Sequence, residues 1–178
     1  MRIILIGAPG SGKSVVARAL SQSLHIPVIS IGQSLRELAE SDHSPEAEAA
    51  RQALETGELL PDELAIKLFK EELAQVDPSR GFLVDGLPRT IGEARMINGM
   101  FPVNKVFHLK VDPSVAFQRL LRRGRTDDRP ERIQRRLDVY HENITPILSF
   151  YKSTGILVEV DASSDVSGAA LEVMSKLQ

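Results

Sequence analysis

Gly7-Ala8-Pro9-Gly10-Ser11-Gly12-Lys13-Ser14 sets two glycines around four residues and follows them with a lysine and a serine. That spacing is the phosphate-loop pattern. Glycines let the backbone curl so that successive N–H groups face an anion, and a helix N-terminus adds its positive end. Lys13 would reach the outer phosphates and Ser14 would ligate Mg²⁺. A dinucleotide fingerprint is excluded, because its third glycine, counted from Gly10, falls on Val15. Further along, Asp85 ends an apolar run and is followed by Gly86-Leu87-Pro88-Arg89-Thr90. A carboxylate at the end of a strand beside a phosphate loop stands where the water shell of Mg²⁺ needs one. The third candidate is a run of arginines: residues 119 to 136 hold eight of the fifteen arginines against three acids. Such a run is a solvated helix face, a nucleic-acid patch or a phosphate clamp. It contains no aromatic residue to stack on bases, and its arginines sit on two helix ends joined by one short loop. A clamp closing several guanidinium groups on one polyphosphate is the reading these features support.

The elements that must position these residues alternate. Ile3 to Ile6 is a first strand, and Val16, Leu20 and Leu24 mark the helix after the loop. Ile26 to Ile31, Phe82 to Val84, Val106 to Val111 and Ile156 to Val160 supply four more strands. Between them, Leu35, Leu38 and Ala39 predict a helix that breaks at Asp42-His43-Ser44-Pro45, and Ala47, Ala50 and Leu54 predict a second ending near Gly57. Their sparse, small apolar residues suggest a flap and not core. Pro61-Asp62 opens a helix carrying Ala65, Leu68, Phe69 and Leu73. Asp112-Pro113 is a strong helix start, and a long helix with Ile133, Leu137, Tyr140 and Ile144 follows the arginine loop. Val166, Ala169, Ala170, Val173 and Leu177 face inward on the closing helix. Strands alternating with helices predict an α/β fold: a three-layer αβα arrangement on a five-stranded parallel sheet.

At 178 residues with 42% apolar content, the chain is expected to build one domain. A net charge of -2 gives no global case for nucleic acid, and the absence of cysteine excludes disulfides, thiolate nucleophiles and cysteine-ligated metals. The first residues read as neither signal peptide nor membrane span, so a cytoplasmic monomer is expected, without membrane or nucleic-acid partners. Histidines 25, 43, 108 and 141 share no metal-ligand spacing and are assigned no chemistry.

Taken together, the ordered motifs resemble the adenylate kinases and their nucleoside-monophosphate kinase relatives, in a short-lid form. The resemblance rests on residues 7–13, Gly32 with Leu35-Arg36, Gly57 through Glu63, Gly81 through Thr90, Arg119 and Arg123, and Arg125-Thr126-Asp127-Asp128 with Arg135-Arg136-Leu137. It implies reversible, Mg²⁺-dependent transfer of the γ-phosphoryl of ATP to AMP, giving two ADP. By matching position, Gly10, Ser11, Gly12, Lys13, Ser14 and Val15 would surround the phosphates, with Ser14 and Asp85 holding Mg²⁺ through water. Arg36 and Arg89 would hold the acceptor phosphate, joined at the acceptor site by Ile31, Gly32, Leu60, Gly86 and Glu93. Arg119 would lie against the ATP base, and Arg123, Arg125 and Arg136 would neutralise the transferring phosphoryl. The flap would span about residues 31 to 60 and the lid about 123 to 131. Kinases of GMP, CMP or UMP, and a non-catalytic nucleotide sensor, are the alternatives. A GTPase is disfavoured because Asn104-Lys105-Val106-Phe107 lacks the base-reading aspartate.

Three departures from the family pattern matter. Ser14-Val15 replaces Gly-Thr, so the hydroxyl stands one residue earlier. Only Gly124 separates Arg123 from Arg125, which leaves no room for an insert in the lid. Ile31-Gly32-Gln33 replaces Thr-Gly-Asp, and Glu93 stands where a glutamine is usual. An ionised Glu93 facing adenine would only accept hydrogen bonds. One adenine group would go unpaired, weakening AMP by roughly ten- to a hundredfold.

Overall fold

The computed structural model describes residues 1–41, 43–163 and 165–177. In chain order the elements are β1 (Arg2–Gly7), α1 (Lys13–Leu24), β2 (Val28–Ser30), α2 (Ile31–Ser41), α3 (Pro45–Thr56), α4 (Asp62–Ala74), β3 (Phe82–Asp85), α5 (Ile91–Met100), β4 (Lys105–Lys110), α6 (Pro113–Arg123), α7 (Pro130–Ser153), β5 (Leu157–Asp161) and α8 (Val166–Ser175). The strands form one sheet in the order β2-β3-β1-β4-β5 with every pairing parallel. Strand residues alternate between the two faces, as the pleat requires. Ile3, Leu5, Leu83 and Phe107 face α1 and α8, while Ile4, Ile6, Val84 and Val106 face the helices of the other layer. Three layers result, as the alternation of elements predicts.

Local chemistry sets most boundaries. Ser44 caps α3 by accepting from the Ala47 amide, with Pro45 in the first turn and Gly57 at the end. The Asp42 part of the expected break lies outside the described residues. Asp112 caps α6 through the Ser114 amide, again with proline in the first turn. The second strand is shorter than expected, because Ile31 already opens α2.

The two helices expected as flap and not core are packed tightly. Leu35, Ala39, Ala50 and Ala53 belong to the larger apolar cluster, and Ala47 is fully buried beside them. Small side chains explain this, since alanines let α3 lie close on α2. Arg51 fastens the pair by donating to the Ala39 carbonyl at 2.9 Å. The long helix α7 continues past Ile144 and through Pro146 to Ser153. An internal proline removes one helical hydrogen bond, but Ile147 and Tyr151 are buried beyond it, and their burial holds the last turns in place.

Candidate functional site

The carboxyl ends of β1 and β3 open into a cleft of about 940 Å³. This is the end of a parallel sheet where ligands bind, at the upper range of small-molecule pockets. The phosphate-loop residues between β1 and α1 line it. Gly10 and Gly12 have φ of 83° and 91°, and a Cβ on either would run into the Ala116 carbonyl or the Val166 side chain. Only glycine fits both the backbone and the space. Helix α1 begins at Lys13 behind an N-cap, Gly12, that offers no side-chain acceptor to the first amides of the helix. Ser11 is fully buried beneath the loop, whereas Ser14 and Val15 are exposed on it.

Lys13 Nζ donates to the carbonyls of Gly7 and Ala8 at 2.6 and 2.9 Å. Burial lowers its pKa to about 8; Asp85 opposes that fall, and Arg89 and Arg123 add to it. Ser14 Oγ donates to Asp85 Oδ2 at 2.6 Å, so the last strand residue of β3 reaches the first turn of α1. A hydroxyl and a carboxylate at this place are hard oxygen donors of the kind Mg²⁺ takes. Among the described residues no cluster of three or more His, Cys, Asp or Glu could hold a metal unaided.

Arginines from α1, α2, α6, α7 and the loops after β3 and α6 converge on the same cleft. Eight cationic side chains line it against three carboxylates, those of Glu58, Asp85 and Asp127. Arg123 is clamped by Asp128 in a two-point contact of 2.8 and 2.7 Å. Arg136 donates to Asp127 at 2.8 Å and to Asp128 at 2.7 Å. Burial alone would raise the Asp128 pKa, but these hydrogen bonds and charges outweigh it and bring the value to about 2. Arg119 is held differently, by the Ala162 and Ser163 carbonyls at 2.7 and 3.0 Å. Arg89 Nε donates to the Gly86 carbonyl at 2.8 Å. Arg125 donates its main-chain amide to Asp128 Oδ2 at 3.2 Å, but its guanidinium and that of Arg36 have no hydrogen bond or ion pair among the described residues. Burial lowers the pKa of Arg125, and the like charges of Arg123 and Arg36 add to it. Like charges crowded around Arg125 mark a surface short of negative charge, which an incoming polyphosphate would supply.

The structure places three expected acceptor-site residues away from the cleft wall. Ile31 and Leu60 are buried in the larger apolar cluster, and Leu59 takes the cleft position beside Leu60. Glu93 is 1% exposed and completes the cap of α5. Its Oε2 accepts from the main-chain amides of Arg89 and Thr90, while its own amide donates to Thr90 Oγ1 at 3.0 Å. This is a capping box, with the acid three residues beyond the cap. Thr90-x-x-Glu93 is readable in the sequence as such a box, a signal that the family comparison of Glu93 with a base-reading glutamine obscures. Gly32 and Gly86 do line the cleft.

Sequence reasoning also passed over His108 and Glu58. His108 is buried on β4, 2.9 Å from the hydroxyl of Tyr140, which lines the cleft. Burial lowers its pKa, opposed by Glu159 at 3.5 Å. Glu58 pairs with Arg135 of α7 at 2.6 Å and ties the end of the α2–α3 unit to the arginine helix. Both contacts join segments distant in the chain, so no local pattern announces them.

A family model described as adenylate kinase matches residues 5–156. The protein named adenylate kinase 2 from Synechocystis sp. is 35% identical, covering 99% of this chain and 100% of that protein. The adenylate kinase of Cyanothece sp. is 36% identical over 99% of this chain and 96% of its own length. That of Xylella fastidiosa is 35% identical over 90% of each.

Proposed function

Since this chain belongs to the adenylate kinase family and is a nucleoside-monophosphate kinase, we propose that its cleft transfers the γ-phosphoryl of ATP to AMP, reversibly, giving two ADP. The observation that carries the reading is the convergence of Lys13 and seven arginines, only partly neutralised by acids, on a single cleft. Phosphoryl transfer asks for donor and acceptor held in line and for the charge on the equatorial oxygens to be neutralised. Lys13 reaches the outer phosphates of ATP, and Arg119 lies against its base. Arg36 and Arg89 hold the acceptor phosphate. Arg123, Arg125 and Arg136 meet the transferring group, two of them fixed in place by Asp127 and Asp128. A phosphate acceptor is already anionic, so no general base is required.

Ser14 and Asp85 are the residues that would hold Mg²⁺ through water; when bound, the ion neutralises phosphate charge. Among the described residues no helix is long and apolar enough to cross a membrane. The flap, about residues 31 to 60, and the short lid, about 123 to 131, exclude water from the site.

Adenine is the acceptor base this arrangement favours. With its carboxylate turned to the amides of Arg89 and Thr90, Glu93 does not confront adenine with an unpaired acceptor. The penalty expected from an ionised Glu93 in the base pocket is therefore not incurred. The test is ADP formation from ATP and Mg²⁺ with AMP, GMP, CMP and UMP offered singly. AMP should be preferred by at least tenfold in kcat/KM. Preference for another monophosphate would overturn the choice of base, and ATP consumption indifferent to any acceptor would overturn the transfer itself.

A further inference from the structure

The loop that carries Arg89 is tied at both ends by a chain of hydrogen bonds with no part in the chemistry above. Asp62, in the first turn of α4 just beyond the flap, accepts at Oδ1 from Thr90 Oγ1 at 2.9 Å. Thr90 Oγ1 in turn accepts from the Glu93 amide at 3.0 Å, and Glu93 Oε2 accepts from the amides of Thr90, at 3.3 Å, and of Arg89. Space around this chain is closed. A Cβ on Gly92 would run into the Asp62 carboxylate, so the residue just before Glu93 must stay a glycine. Glu93 is buried, and its carboxylate reaches the backbone of the residue whose guanidinium faces the cleft.

We propose that Asp62, Thr90 and Glu93 form a positioning network that fixes the backbone of Arg89, so that Glu93 governs turnover through Arg89 and leaves the choice of acceptor base untouched. The network also spans from the flap's exit at Pro61-Asp62 to the arginine loop, so it registers one against the other. An acid suits the Glu93 position because a buried carboxylate oxygen accepts two main-chain amides more strongly than a neutral carbonyl does. A glutamine keeps an acceptor oxygen there and should keep most of the effect. Alanine leaves both amides without that partner.

This inference rests on Arg89 holding the acceptor phosphate, and the experiment separates the two ideas. Wild type, Glu93→Gln, Glu93→Ala, Arg89→Lys and the double variant Glu93→Ala/Arg89→Lys are assayed for kcat and KM with each of the four monophosphates. Arg89→Lys should raise acceptor KM or lower kcat whatever Glu93 does; if it changes neither, the assignment of Arg89 fails first. Given that effect, Glu93→Ala should lower kcat/KM about tenfold, by the same factor for every acceptor used. Glu93→Gln should recover most of that loss with the acceptor ranking unchanged. The double variant should lose little beyond Arg89→Lys alone, because both changes act on one group. If Glu93→Ala does not fold, Thr90→Val breaks the same chain at its centre and takes its place in the cycle. A Glu93→Gln variant whose AMP-to-GMP preference moves tenfold or more would overturn the proposal, as would losses that simply multiply in the double variant.

Discussion

Two anion-facing regions meet in this cleft, and they are built in opposite ways. The phosphate loop is a backbone device: its shape follows from glycines at positive φ, a strand before and a helix after, all within residues 2 to 24. Its lysine is tied to the loop's own carbonyls. The arginine arc is a side-chain device drawn from residues 36, 89, 119 and 123 to 136, and its geometry depends on which acids happen to stand behind each guanidinium. Asp127 and Asp128 fix Arg123 and Arg136, while Arg36 and Arg125 have no such partner. The difference teaches that preorganised charge can come from a short stretch of sequence or from distant partners, and that the second kind can be dismantled without touching the residues that face the substrate.

The sharpest cut at the backbone device is Lys13→Ala. It anchors no core, so the fold should survive by circular dichroism while turnover falls by several hundredfold, or about 3–4 kcal/mol. Near-wild-type turnover in the folded variant would remove the phosphate loop from the mechanism. For the arc, Arg123→Ala, Arg125→Ala and Arg136→Ala should each lower kcat by about a hundredfold. Arg129→Ala and Arg132→Ala should leave it within about twofold, as single surface substitutions usually do, because neither side chain lines the cleft. Equal effects across all five would make the arc a diffuse basic surface.

Dismantling the arc from behind gives a smaller effect, on stability as well as rate. Asp128→Asn removes the charge that holds Arg123 and Arg136 and should cost about 2 kcal/mol in urea unfolding at pH 7. The sign of its pH dependence follows from the depressed folded pKa of about 2 against an ordinary 3.8. The stabilisation is fully present above pH 4 and lost as the pH falls through 2. The gap between wild type and variant should therefore close across that window; a gap that persists at pH 2 would show that packing, not charge, is what Asp128 contributes.

Lys13 yields a pH test of the loop. In the free protein its pKa is lowered to about 8 from 10.5, and a bound polyphosphate favours the charged ammonium. ATP affinity should hold below pH 8 and weaken as the pH rises from there toward 10.5, with uptake of part of a proton on binding. Calorimetry at pH 9 in two buffers of different ionisation enthalpy measures that uptake, and its absence would contradict the lowered pKa. Smallest of all should be Glu58→Gln. The pair with Arg135 is about half exposed, and such pairs contribute at most about 1 kcal/mol. Any effect of Glu58→Gln on acceptor KM larger than that would mean that the contact latches the flap.

Much of this was determined by the sequence alone, for a physical reason. A phosphate loop, a proline-bearing helix start at Asp112-Pro113 and short all-apolar strand runs are set by sterics and hydrogen bonds among near neighbours, which the order of residues specifies directly. The parallel three-layer fold follows from the alternation of such elements. Tertiary structure decided what depends on partners far along the chain. It sank the alanines of α3 into the core because α2 lay close enough to cover them, and it carried α7 through Pro146 because Ile147 and Tyr151 had a core to enter. It turned Glu93 to the amides of Arg89 and Thr90, and it set Asp128 behind two arginines. A side chain's partner is chosen by burial and proximity, and neither is written in the spacing of the residues around it.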